Sequence, residues 1–264
     1  MFTLLLTLFT GMNILIATSR GGGIKSRMPR NEHRVMSRVY PGARIKTLTS
    51  KADKILKNLR CNTRDTHVYI MGGINDVTHK IRGWNYTEVI YTEEPHKTIT
   101  RIIKDIDDCA EKIKSHGAKP IFSTIAACDI ARYNTHMLED KHWTHTLKHT
   151  DKYEDMQTRL EQTVEEVNKY IIHINQSTST STPFTHSIVH KRRGKRPHYY
   201  KWDYKMLWDG VHGTEKTKQG WAHCISKAIQ TNRKRQTQSL DTDTDEESKS
   251  PKRSWKVERR FNFN

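Results

Sequence analysis

Four short apolar runs, separated by stretches whose apolar residues recur at helical spacing, restrict the fold of this chain more than any other feature. Asn13–Ala17 (NILIA) ends at Thr18-Ser19-Arg20 and three glycines, and Val35–Tyr40 is stopped by Pro41-Gly42. Thr66–Met71 ends at Gly72-Gly73, and Lys119–Ala126 (KPIFSTIA) is the fourth run. Apolar runs this short, closed by turn formers, read as buried strands. Between them Ile45, Leu48, Ala52, Ile55, Leu56 and Leu59 trace one helical face. Ile99, Ile102, Ile103, Ile106, Ala110 and Ile113 trace a second, closed by Gly117, and Tyr153, Met156, Leu160, Val164, Val167, Ile171 and Ile174 a third. Thr185–His190 reads as a short fifth strand, and residues 215–229 as a closing helix with Thr214 as its N-cap. Strands alternating with helices predict an α/β fold: a mostly parallel five-stranded sheet covered on both faces. Ligands of such sheets bind in the crevice beyond the carboxyl ends of the strands.

Length and charge set the remaining bounds. The 264 residues suit one such domain with appendages, here assigned to residues 12–230. Residues 1–11 are read as an apolar extension. A secretory leader is the alternative, although MFTLLLTLF lacks a basic start and the first strand follows at once. Residues 231–264 mix Arg233-Lys-Arg235, an acidic run from Asp241 to Glu247 and Pro251-Lys-Arg253, the composition of a disordered charged tail. The 46 Lys and Arg outweigh 29 Asp and Glu, giving a net charge of +17, most of it on the folded body. Such basicity favours an anionic substrate or partner and says nothing about fold. Cys61, Cys109, Cys128 and Cys224 lie far apart with no zinc-ligand spacing, which excludes a dense disulfide scaffold and favours reduced thiols. No run approaches the ~18 apolar residues of a spanning helix.

The polar residues that matter chemically stand at the ends of the runs. Ser19 follows the first strand, Gly42 the second, Asn75 lies in Gly73-Ile-Asn-Asp76 after the third, and Asp209-Gly-Val-His212 precedes the closing helix. A serine nucleophile needs a base within hydrogen-bond reach, a carboxylate to orient that base, and donors for an oxyanion. Taken singly, each residue has an ordinary local reading as a cap or turn former. Together, and in this order, they resemble the SGNH (GDSL-like) hydrolase family: a serine after strand one, a glycine after strand two, a GxND block after strand three and a late DxxH. The resemblance runs from about Asn13 to Ile229. It implies a flavodoxin-like three-layer α/β/α sandwich and an esterase or acyl hydrolase working through a Ser19 acyl-enzyme. His212 would be the general base and Asp209 its orienter. The Ser19 and Gly42 backbone N–H groups with the Asn75 amide would form the oxyanion hole, with no cofactor and no metal. The family's GDS becomes Ala17-Thr18-Ser19 here, so the aspartate before the serine is missing. Ser26 lies beyond the glycine turn and fits the nucleophile position less well.

Weaker signals remain. His136, His142, His145 and His149 crowd one segment without a clearly placed acidic ligand, and a polar loop is favoured over a metal site. Lys191, Arg192, Arg193, Lys195 and Arg196 precede His198, Tyr199, Tyr200 and Trp202, a mixture suited to nucleic acid or another polyanion. A catalytically degenerate member that binds such a polyanion is therefore the alternative function. The two basic clusters of the tail resemble a two-part nuclear-import signal, so an intracellular location is expected, with nuclear entry as the reading of these clusters. Family members also occur in open reading frames of mobile elements and viruses, a setting that suits a small basic enzyme.

Overall fold

The structure, a computed structural model, describes residues 12–29, 35–59, 63, 66–82, 87–91, 93–140, 147–192 and 200–242. The apolar extension, Cys61, Trp84, Tyr86, His142, His145, Arg193, Lys195, Arg196 and the chain after Thr242 lie outside the described residues.

Strands β1 (Asn13–Ala17), β2 (Val35–Val39), β3 (His67–Met71) and β6 (Lys119–Phe122) form one parallel sheet in the order β2-β1-β3-β6. Every residue of β1 and β3 is buried, as expected for central strands covered on both faces. The one-turn helix α1 (Ile24–Arg27) connects β1 to β2. Helices α2 (Ile45–Lys57) and α4 (Pro95–Lys114) lead to β3 and β6. From β1 the first connection moves one way along the sheet and the other two move the opposite way. Right-handed crossovers therefore put α1 on one face and α2 with α4 on the other. Helix α6 (Tyr153–Ser177) packs on α4, and the closing helix α7 (Glu215–Thr242) packs on α1. The result is a three-layer α/β/α sandwich.

Among the described residues the sheet has four strands, not five. Thr185–Val189 forms a 3-10 turn, and the place of the fifth strand is taken by side chains. Asn175 of α6 accepts from Phe122 N–H at 3.0 Å and donates to Phe122 C=O at 2.7 Å. Asn168, two helical turns earlier, does the same for Ile125 at 2.6 and 2.8 Å. A primary amide carries the donor and acceptor of a peptide group, so these buried side chains satisfy the free edge. Residues 123–129 can leave the sheet as an irregular segment, and β6 ends four residues before Ala126. The 3-10 turn is then drawn toward Trp221, whose Nε1 donates to Thr185 O at 2.9 Å.

Three further differences from the sequence reading concern appendages. The polar loop after Asn75 holds an antiparallel ribbon, β4 (His79–Arg82) with β5 (Thr87–Ile90). It follows one-turn helix α3 (Ile74–Val77). The basic stretch after residue 190 likewise begins as β7 (His190–Arg192), paired with β8 (Tyr200–Trp202). Finally, α7 continues to Thr242, past residue 231 where the disordered tail was expected to start. Thr214 Oγ1 accepts from Thr217 N–H at 3.3 Å at its beginning. Among the described residues no helix is long and apolar enough to cross a membrane.

Candidate active site

Ser19 begins a single 3-10 turn, Ser19–Gly21, directly after β1. The turn is anchored by Thr18 N–H, which donates to Met71 O at 3.0 Å where β1 and β3 both run out. The serine is thereby held at the carboxyl edge of the sheet.

The second half of the site comes from the other end of the chain. Leu207 and Gly213 form an antiparallel bridge, and Trp208 N–H donates to His212 O at 2.9 Å, so residues 208–212 make a tight excursion. At its tip Gly210 has φ +86° and its carbonyl accepts from Asp129 N–H at 2.8 Å. A Cβ there would stand 2.6 Å from Asp129 O and 2.8 Å from Tyr133 N, so only glycine lets this tip lie against the start of helix α5 (Ile130–Asp140). The excursion turns Asp209 back on its own backbone. Asp209 Oδ1 accepts from the N–H groups of Val211 at 2.8 Å and His212 at 2.6 Å.

These two turns meet. Asp209 Oδ2 lies 2.5 Å from His212 Nδ1, and His212 Nε2 lies 3.1 Å from Ser19 Oγ. With Nδ1–H donating to the carboxylate, Nε2 presents its lone pair to the serine hydroxyl. Burial disfavours the charge on Asp209, but hydrogen bonds from the His212 side chain and from the His212 and Val211 backbones outweigh it and hold the carboxyl below the usual carboxylate range. The site thus contains a fixed anion, an imidazole and a hydroxyl in series.

The other expected residues lie on the loops after β2 and β3. Asn75 is half-buried on α3 and donates through Nδ2 to Ala43 O at 3.0 Å, using one of the two N–H bonds of its amide. Gly42 occupies the exposed turn after β2 with φ +70°, and a Cβ added there would meet nothing within 4 Å. Asp76, fully buried beside Asn75, accepts from Ile45 N–H with both oxygens, at 3.2 and 3.1 Å, and so caps α2. Burial, reinforced by Asp105, pushes its carboxyl up to about 7 against the opposing effects of Ile45 N–H, Arg101 and Arg44.

Several sequence candidates lie elsewhere. Ser26 is exposed and donates to Gly23 O at 2.8 Å, a local contact. His149 pairs through Nδ1 with the buried Glu88 carboxylate at 2.9 Å. His136 stands edge-on to Trp208, with ring centres 4.7 Å apart. Among the described residues no three His, Cys, Asp or Glu converge as metal ligands. Lys191 is exposed on β7, and Cys109 and Cys128 are buried free thiols.

Two residues of the site carry no signal in the sequence. Arg20, next to Ser19, is buried; its Nε donates to Val211 O at 2.9 Å, one terminal nitrogen to Ala127 O at 3.2 Å and the other to Ala126 O. Trp208, 49% exposed, lies roughly parallel to the His212 ring. It also lines an open groove with Asp129, Arg132, His136 and Glu139.

Comparison with known proteins bears on family and fold. Residues 15–225 match the GDSL-like lipase/acylhydrolase family. A protein from Bacteroides fragilis described as an acylhydrolase superimposes with a TM-score of 0.54 at 14% identity, covering 83% of this chain and 86% of that one. A GDSL-like lipase from Bacteroides thetaiotaomicron gives a TM-score of 0.55 at 14% identity, covering 84% of this chain and 89% of that one. At such identity the likeness establishes a shared fold. No curated protein matches the chain. The family match spans most of the folded body, and the chain belongs to the GDSL-like lipase/acylhydrolase family.

Proposed function

We propose that this protein is a serine esterase that cleaves its substrate through an acyl-enzyme on Ser19. The observation that carries the reading is the unbroken series from Ser19 Oγ to His212 Nε2 at 3.1 Å and from His212 Nδ1 to Asp209 at 2.5 Å. Membership of an acylhydrolase family supports ester hydrolysis in general.

Ser19 Oγ attacks the ester carbonyl carbon as its proton passes to His212 Nε2. The ionised Asp209 stabilises the resulting imidazolium and keeps Nδ1 protonated. The carbonyl oxygen becomes an oxyanion, and its donors are the Ser19 and Gly42 backbone N–H groups and the second N–H of Asn75. The bond to the alcohol then breaks, and the alcohol departs with the proton from Nε2. Water attacks the acyl carbon with His212 again as base, releasing the acid and regenerating Ser19. The basic body favours an anionic substrate, and the groove beside Trp208 offers room for one side of it.

A fluorophosphonate probe tests the nucleophile without knowledge of the substrate. It is expected to modify Ser19 alone and to leave Ser19→Ala unmodified, with hydrolysis of a small aryl ester lost in the same variant. Modification at another residue, or full ester turnover by a folded Ser19→Ala protein, overturns the reading.

A further inference from the structure

The contacts of Arg20 carry more than packing. Its guanidinium touches both halves of the site: it belongs to the turn that holds Ser19, it donates to Val211 O inside the Asp209–His212 excursion, and its remaining donors take Ala126 O and Ala127 O. These carbonyls lie 191, 106 and 107 residues away in sequence. The three acceptors are backbone atoms of segments outside regular structure, which the main sheet does not itself hold in place. A planar fork with five donors in fixed directions can hold three such carbonyls at once, whereas an ammonium cannot reproduce that geometry.

The location is costly. Taking a cation out of water carries a penalty of several kcal/mol unless it is well partnered, and burial indeed pushes the Arg20 guanidinium below its ordinary value, opposed by Cys128, Asp209 and Tyr204. Of those three, Asp209 is the group that carries charge near neutral pH. The Ala17-Thr18-Ser19 sequence also places no charge before the serine, and the charge of this turn sits one residue after it.

We infer that Arg20 is a positioning residue, which sets the Asp209–His212 turn against Ser19 by clamping the Val211 carbonyl to the nucleophile's own turn. The inference rests on the proposed relay, but it concerns geometry that exists whether or not an ester is turned over. Without the fork, the imidazole is free to drift from Ser19 Oγ, and displacements near 1 Å cost about a hundredfold in rate.

The test compares the wild type with Arg20→Lys, which keeps the charge and loses the fork, and with Arg20→Met. The first readout is the proton NMR signal of the His212 Nδ1–H···Asp209 hydrogen bond, assigned by its loss in Asp209→Asn. Both Arg20 variants are expected to broaden or shift that signal. For aryl ester hydrolysis, Arg20→Lys is expected to lower kcat roughly ten- to a hundredfold with KM changed less than about threefold, and to slow fluorophosphonate labelling in proportion. If Arg20→Met fails to fold, Arg20→Lys still decides the matter. A folded Arg20→Lys protein with the wild-type signal overturns the inference. If the signal responds to Arg20→Lys while the wild type has no esterase activity, positioning stands and the proposed function fails.

Discussion

Gly42 and Gly210 both hold left-handed backbone, at φ +70° and +86°, yet they answer to different constraints. Nothing stands within 4 Å of a Cβ built on Gly42, whereas at Gly210 it would strike the Asp129 carbonyl and the Tyr133 nitrogen, both backbone atoms. Gly42→Ala should therefore cost only the left-handed penalty, about 1–2 kcal/mol. Gly210→Ala should cost more than about 3 kcal/mol, because the turn between Asp209 and His212 must move as well. Urea unfolding of the two variants checks the order, and ester hydrolysis by Gly210→Ala should fall even where the protein remains folded. Equal costs would mean that the excursion is not held against α5. At this scale Ser19, Asn75, Asp209 and His212 were visible in the sequence because each belongs to a short block with its own turn residues. Arg20 and Trp208 were not. Their roles come from partners in distant segments, and no local pattern records that.

The elements show where periodicity stops being informative. Strands β1, β3 and β6 and helices α2, α4 and α6 follow from runs and spacing, because burial on one face or both imposes the pattern. The missing fifth strand has the opposite cause. Asn168 and Asn175 occupy the buried face of α6 and serve the backbone of Phe122 and Ile125 as a neighbouring strand would. Asn134 repeats the device on α5, accepting from Val89 N–H at 2.7 Å and donating to Val89 O at 2.8 Å. An asparagine on an apolar helical face looks like an interruption, and nothing in the sequence says which peptide it completes. Asn168→Ala should leave both polar groups of Ile125 buried without partners, costing about 2–6 kcal/mol at roughly 1–3 for each group. The loss should appear in urea unfolding and should be accompanied by slower fluorophosphonate labelling of Ser19, since Ile125 leads directly into the Ala126 and Ala127 carbonyls that Arg20 holds. Stability within about 0.5 kcal/mol of wild type would show that water replaces the amide there.

Across the whole molecule the ionisable groups of the site pull stability in opposite directions with pH. Asp209 has a folded value below its unfolded one. It contributes stability above the unfolded value, and that contribution is lost as pH falls through the folded value. Asp76 behaves in the reverse sense, because burial pushes its carboxyl up to about 7 from 3.8. Between those two values the folded chain holds a proton that the unfolded chain has released, so stability declines as pH rises through the window and is level above it. The slope from this one group approaches about 1.4 kcal/mol per pH unit. Asp76→Asn removes the ionisation and keeps an oxygen to accept from Ile45 N–H, so α2 retains its cap. Unfolding free energies measured from about pH 4 to about pH 8 should therefore show the variant gaining on wild type steadily up to neutrality and by a constant margin beyond. Parallel profiles for the two proteins would mean that Asp76 is ionised throughout, held in that form by Ile45 N–H, Arg101 and Arg44.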